Sequence, residues 1–122
     1  MKPGKTGLAR IIDATRFSMA GMRAAWKNEA AFRQEIVICS ILFVLSFFLA
    51  ANPVQWLLLV APLLIVLVVE LLNSAVESIV DRIGPEHHEL SGRSKDMGSA
   101  AVFFSLLLVF LCWVTVAWTN FS

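Results

Sequence analysis

The sequence predicts an all-α membrane protein: one domain over residues 1–122, with an N-terminal amphipathic surface helix and three transmembrane helices. Three observations carry this. Hydrophobic residues make up 58% of the chain and charged residues only 16%, against roughly 45–50% and ~25% in soluble chains. The apolar residues gather into three runs without a charge, 36–51, 54–69 and 97–118. The basic residues are distributed unevenly around those runs. Lys2, Lys5, Arg10, Arg16, Arg23, Lys27 and Arg33 precede the first, and Arg82, Arg93 and Lys95 lie between the second and third. The connector Asn52-Pro53 and residues 119–122 carry none. Basic loops stay in the cytoplasm, so the N-terminus and the 82–96 loop are expected there and the C-terminus outside.

Residues 1–6 read as a terminal tail. No signal peptide is expected, because the first apolar run begins only at Ile36, after a long basic segment. The surface helix is expected at about 7–27. Leu8, Ile11, Ile12, Met19, Met22 and Trp26 fall on one helical face, with Arg10, Asp13, Arg16, Arg23 and Lys27 elsewhere around the wheel. Such a helix lies in the membrane surface. Phe17 breaks the pattern by falling on the polar side. It either stacks on a planar ligand or folds back onto a neighbour.

A span needs ~20 residues, so the first two runs borrow from their flanks and the spans are expected at about 29–51, 54–83 and 93–119. Asn52-Pro53 makes a tight turn between the first two. Pro62 disturbs the hydrogen bonding of the second, and Gly84-Pro85 stops it. Gly98-Ser99-Ala100-Ala101 opens the third with small residues that allow close helix approach. Cys39 and Cys112 sit inside apolar runs and read as packed thiols.

The second run continues into Glu70-Leu71-Leu72-Asn73-Ser74-Ala75-Val76-Glu77-Ser78-Ile79-Val80-Asp81. On one helix Glu70, Asn73, Glu77 and Asp81 lie within about 80° of one another. Acids in a membrane helix are costly and mark function. Glu70 lies nearest the bilayer core and is the candidate general base for a hydroxyl presented from the lipid. Glu77, ~10 Å nearer the water, suits a metal or a nucleotide. Glu29 and Arg33 stand at i, i+4, the spacing of a surface ion pair. Glu29 also falls at the depth of the stripe, which would make it a second helix's contribution to a shared cation.

Carboxylates and an amide without a cysteine cluster suit a hard cation such as Mg²⁺, and Arg10, Arg23 and Lys95 could hold phosphate oxygens. That inventory fits phosphoryl transfer from a nucleotide. The sequence has no phosphate-binding loop of the GxxxxGK[ST] type, no dinucleotide fingerprint and no protein-kinase catalytic loop. Adjacent His87 and His88 do not readily ligate one ion. They read as solvated loop residues or contacts to a nucleotide.

The blocks Asn28-Glu29-Ala30-Ala31-Phe32-Arg33-Gln34-Glu35, Glu70 to Glu77, Asp81-Arg82-Ile83-Gly84 and Glu89 to Val102 closely resemble the bacterial integral-membrane diacylglycerol kinases. The likeness runs from about Gly7 and is weakest in the lipid-facing parts of the spans. It implies a homotrimer in the bacterial inner (cytoplasmic) membrane with active sites shared between subunits. It also implies transfer of the γ-phosphate of ATP, with Mg²⁺, to the primary hydroxyl of diacylglycerol, giving phosphatidic acid. By motif position Glu70 matches the family's catalytic base, and Glu29 and Glu77 its metal ligands. Arg10, Phe17, Glu29, Glu77, Glu86, His87, His88, Lys95 and Asp96 match its nucleotide contacts, and Asn73 and Asp81 its supporting polar groups. The lipid would touch Arg10, Ala14, Thr15, Arg16, Phe17, Ser18, Met19, Arg23, Ala24, Ala25 and Trp26 on the surface helix. Along the spans it would touch Ala31, Phe32, Arg33, Gln34, Glu35, Phe48, Leu49, Ala50, Ala51, Trp56, Glu70, Ser99 and Trp113. The family often has tyrosine where Phe17 stands, so stacking survives and a hydroxyl contact does not. The expected partners are further copies of the chain, ATP and a membrane lipid, with no nucleic acid. An undecaprenol kinase of the same fold is the nearest rival, and a small ion-coupled transporter using Glu70 is the rival from another class.

Overall fold

A computed structural model describes residues 6–84 and 88–122; most of the terminal tail, Glu86 and His87 lie outside the described residues. The described residues form four α-helices and no strand: α1 (Gly7–Asn28), α2 (Ala30–Leu49), α3 (Pro53–Ile83) and α4 (Glu89–Phe121). Three of them, α2 with 20 residues, α3 with 31 and α4 with 33, are long and apolar enough to cross a membrane.

Each boundary has a local cause. Between α1 and α2 a single residue leaves the helix: Glu29 is extended, with φ −120° and ψ 106°. Asn52 caps α3 by accepting from the Gln55 amide at 2.9 Å, and Pro53 takes the first helical position, where its missing N–H needs no partner. His88 caps α4, its Nδ1 accepting from the Leu90 amide at 3.0 Å.

The long helix α3 is the centre of the bundle, packed most extensively against α4 and next against α2, while α1 rests on α2. Its buried face runs through Leu59, Val60, Pro62, Leu63 and Val66 to Glu70 and Ser74. Cys39 joins Leu63 and Val66 in the core, with Leu42, Leu67, Val109 and Trp113 around them. The turn around Pro62 is held from both neighbours. Trp113 Nε1 donates to the Leu59 carbonyl at 3.0 Å, and Cys39 Sγ lies 3.9 Å from the Leu63 carbonyl. The outward faces of the spans are apolar, with Ile38, Ile41, Leu57, Leu64, Phe103 and Phe110 exposed. That pattern suits lipid rather than water.

Candidate active site

The acid stripe on α3 grades from buried to wet. Glu70 is 4% exposed, Asn73 and Glu77 are half-buried, and Asp81 is exposed. Its internal bonds are long. Ser74 Oγ donates to Glu70 Oε1 at 3.4 Å, and Asn73 Nδ2 donates to Glu77 Oε1 at 3.4 Å. Asn73 Oδ1 is buried without a hydrogen-bond partner because it sits against Gly98 of α4. A Cβ built on Gly98 would overlap that oxygen. The glycine lets the amide lie between the two helices, and any side chain at position 98 would force that amide to move.

Two further acids arrive from outside α3. Glu29, at the joint between α1 and α2, acts on Glu70 as a neighbouring like charge, as does Glu77 of α3 itself. Within one chain Glu29 and Glu77 thus each lie within electrostatic reach of Glu70. The Glu35 carboxyl of α2 faces that of Glu70, and Glu35 Oε2 is buried without a partner. Residue types and spacing left Glu35 inconspicuous; its signal was an acid one residue before an apolar run. A groove of about 610 Å³ opens between α1 and α3, lined by Gly21, Ala24, Ala25, Glu29, Ser74 and Ser78 among others.

The expected ion pair between Glu29 and Arg33 is absent. The i, i+4 rule presumes a continuous helix, and the chain leaves the helix at Glu29. The Arg33 guanidinium instead donates Nη1 to the carbonyls of Trp26 at 2.8 Å and Lys27 at 3.3 Å. Asp13 is a second departure. It is 4% exposed and bonded to Arg16 Nη2 at 2.7 Å, although the helical wheel set it among the polar residues.

The residues matched to nucleotide contacts are spread around the same end. Arg10 and Phe17 are exposed on α1, Asp96 is exposed on α4, and His88 is engaged as the cap of α4. Lys95 Nζ bonds Asp81 Oδ1 at 2.8 Å across α3 and α4, an exposed pair of the kind worth ~0–1 kcal/mol.

The residues matched to lipid contacts fall into two groups. Arg10, Ala14, Thr15, Arg16, Phe17, Ser18, Met19, Arg23, Ala24, Ala25 and Trp26 on α1, with Ala31, Phe32, Arg33, Gln34 and Glu35 on α2, Glu70 on α3 and Ser99 on α4, lie toward the acid end. Ala25 and Phe32 are buried there. Phe48, Leu49, Ala50 and Ala51 lie at the opposite end beside Trp56, whose ring packs 5.6 Å from Phe47 and 6.3 Å from Phe43. Trp56 stands on α3 ~21 Å from Glu70 at 1.5 Å per residue. Trp113 spends its N–H on the Leu59 carbonyl.

The oxygen donors fit Mg²⁺ in kind. Glu29, Glu77 and the unpartnered Asn73 Oδ1 are hard ligands without sulfur. Among the described residues no three acids or histidines stand close enough together to hold a metal ion. Two carboxylates with water or phosphate completing the shell is how Mg²⁺ is ordinarily held.

Comparison with known proteins identifies the family. The family model for prokaryotic diacylglycerol kinase matches residues 16–117. The chain is 47% identical over 122 residues to the diacylglycerol kinase of Escherichia coli K12, covering 100% of both chains. It is 50% identical over 108 residues to that of Haemophilus influenzae, covering 88% of this chain and 92% of the relative. With that of Pseudomonas aeruginosa it shares 46% identity over 113 residues, covering 93% and 92%. The chain belongs to the prokaryotic diacylglycerol kinase family, a family of membrane-embedded kinases.

Proposed function

We propose that the protein transfers the γ-phosphate of MgATP to the primary hydroxyl of diacylglycerol, giving phosphatidic acid and ADP. The family match across residues 16–117 carries this reading, and the buried Glu70 at the floor of the acid cluster supports it. Glu70 takes the hydroxyl proton. The alcohol oxygen then bonds to the γ-phosphorus as the bond from that phosphorus to the β–γ bridging oxygen breaks. Glu29 and Glu77 would hold Mg²⁺, which offsets phosphate charge in such transfers. Arg10, Phe17, Lys95 and Asp96 would orient the nucleotide, with Glu86, His87 and His88 of the α3–α4 loop.

The assembly is a homotrimer in the bacterial inner membrane, with the acid end and N-terminus toward the cytoplasm and the C-terminus outside. Helix α1 lies on the membrane surface. Exposed Leu8, Ile11, Ile12, Met19, Met22 and Trp26 support that placement.

The deciding experiment is a kinase assay in mixed micelles with diacylglycerol and undecaprenol side by side. Phosphorylation of diacylglycerol at a clearly higher kcat/KM is expected. Comparable rates, or preference for undecaprenol, would sink the substrate assignment.

A further inference from the structure

The joint between α1 and α2 has only a weak local cause, Asn28, whose Nδ2 donates to the Ala24 carbonyl at 2.9 Å at the end of α1. The stretch Ala24-Ala25-Trp26-Lys27-Asn28-Glu29-Ala30-Ala31-Phe32 contains neither glycine nor proline, and its alanines are among the best helix formers. A continuous helix would give the carbonyls of Trp26 and Lys27 to the amides of Ala30 and Ala31. The helix ends instead. Glu29 is extended, its amide still donates to the Ala25 carbonyl at 2.8 Å, and the Arg33 amide reaches the Glu29 carbonyl at 3.2 Å. The carbonyls of Trp26 and Lys27 receive the Arg33 guanidinium in place of backbone donors.

A charged donor is well matched to those two groups, because the last carbonyls of a helix carry its partial negative charge. It also removes the penalty that would otherwise push the chain into one straight helix. Because the guanidinium is spent on carbonyls, it does not neutralise Glu29. No described residue donates to that carboxylate, which stays beside Glu70 and lines the groove with Ser74 and Ser78.

We propose that Arg33 is a latch: by occupying the Trp26 and Lys27 carbonyls it holds the joint open and presents Glu29 to the acids of α3. Arg33 is thus a positioning residue for a metal-binding carboxylate, which rests on the kinase reading above. It does not itself touch the metal.

The test uses the full-length protein in micelles, with Arg33→Ala and Arg33→Lys. Arg33→Ala should raise the Mg²⁺ concentration for half-maximal activity about tenfold, as loss of an outer-shell partner does, and the KM for diacylglycerol reports separately on the lipid contact implied for Arg33. Arg33→Lys keeps the charge without the planar fork and should recover part of the loss. An independent readout needs neither substrate nor metal. In metal-free protein, hydrogen exchange at the Ala30 and Ala31 amides should slow in Arg33→Ala, because the straightened helix bonds them. An unchanged Mg²⁺ requirement with unchanged exchange would overturn the latch. So would a rise in lipid KM with the Mg²⁺ requirement and the exchange both unchanged, which would leave Arg33 a lipid contact alone. A wild-type protein inactive on diacylglycerol would instead sink the kinase reading, and the exchange experiment would still decide the latch.

Discussion

The two ends of the bundle treat their polar groups in opposite ways. At the α2–α3 turn, Asn120 Nδ2 donates to the Leu49 carbonyl at 2.8 Å and to Gln55 Oε1 at 2.9 Å. Gln55 Nε2 returns a bond to Asn120 Oδ1 at 3.1 Å, and the Ala51 amide reaches Gln55 Oε1 at 2.8 Å. Three helices are tied by a ring of short, reciprocal bonds. At the acid end Glu29, Glu35 and Glu77 each act on Glu70. The bonds there are 3.4 Å long, and Glu35 Oε2 and Asn73 Oδ1 have none. The first end is tied for stability, although Trp56 Nε1 there is also buried without a partner. The second retains unmet polar groups and like charges in apolar surroundings, which persists where a ligand completes the arrangement.

Four substitutions probe that contrast, taken from the largest expected effect to the smallest. Glu70→Gln should lower kcat by at least ~100-fold, the usual contribution of a general base. Nucleotide binding and the unfolding midpoint should be kept, and near-full turnover would remove Glu70 from that role. Asn120→Leu should cost about 2–3 kcal/mol in micelle unfolding, because it orphans the Leu49 carbonyl and the Gln55 amide together. An unchanged midpoint would show the ring to be ornamental. Gly98→Ala should cost about 1–2 kcal/mol by pressing a methyl group into Asn73, and that cost should largely vanish in an Asn73→Ala background. Equal costs in both backgrounds would locate the strain elsewhere on the α3–α4 contact. Glu35→Gln should stabilise by up to about 1 kcal/mol through relief of the charge facing Glu70, a gain of the sort functional sites forgo. A destabilised variant would mean that the Glu35–Glu70 pair is held together by more than packing.

Much of the fold was legible because its determinants are local. Apolar runs gave three spans, Asn52-Pro53 gave a cap and a turn, and the period of Glu70, Asn73, Glu77 and Asp81 put them on one face. The burial of Glu70 followed from its position next to an uncharged run. What escaped the sequence depends on register between distant segments. Asn120 meets Gln55 across 65 positions, and Glu35 meets Glu70 only because α2 and α3 pass at one height. Arg33 was misjudged for a different reason. The spacing rule that paired it with Glu29 holds inside a helix, and these two residues straddle the end of one. Asp13 shows the limit of the helical wheel, which records which face a residue lies on but not what rests against that face.

The single extended residue at Glu29 has a mechanical consequence. Helix α1 packs most extensively on α2, so its direction relative to the spans follows from the backbone at that one residue. Arg10 stands ~28 Å along the axis from that pivot at 1.5 Å per residue, so a swing of about 10° displaces it by roughly 5 Å. That distance separates a side chain in contact with a phosphate from one that has lost it. The two dihedral angles of Glu29 thus set the aim of side chains five turns away.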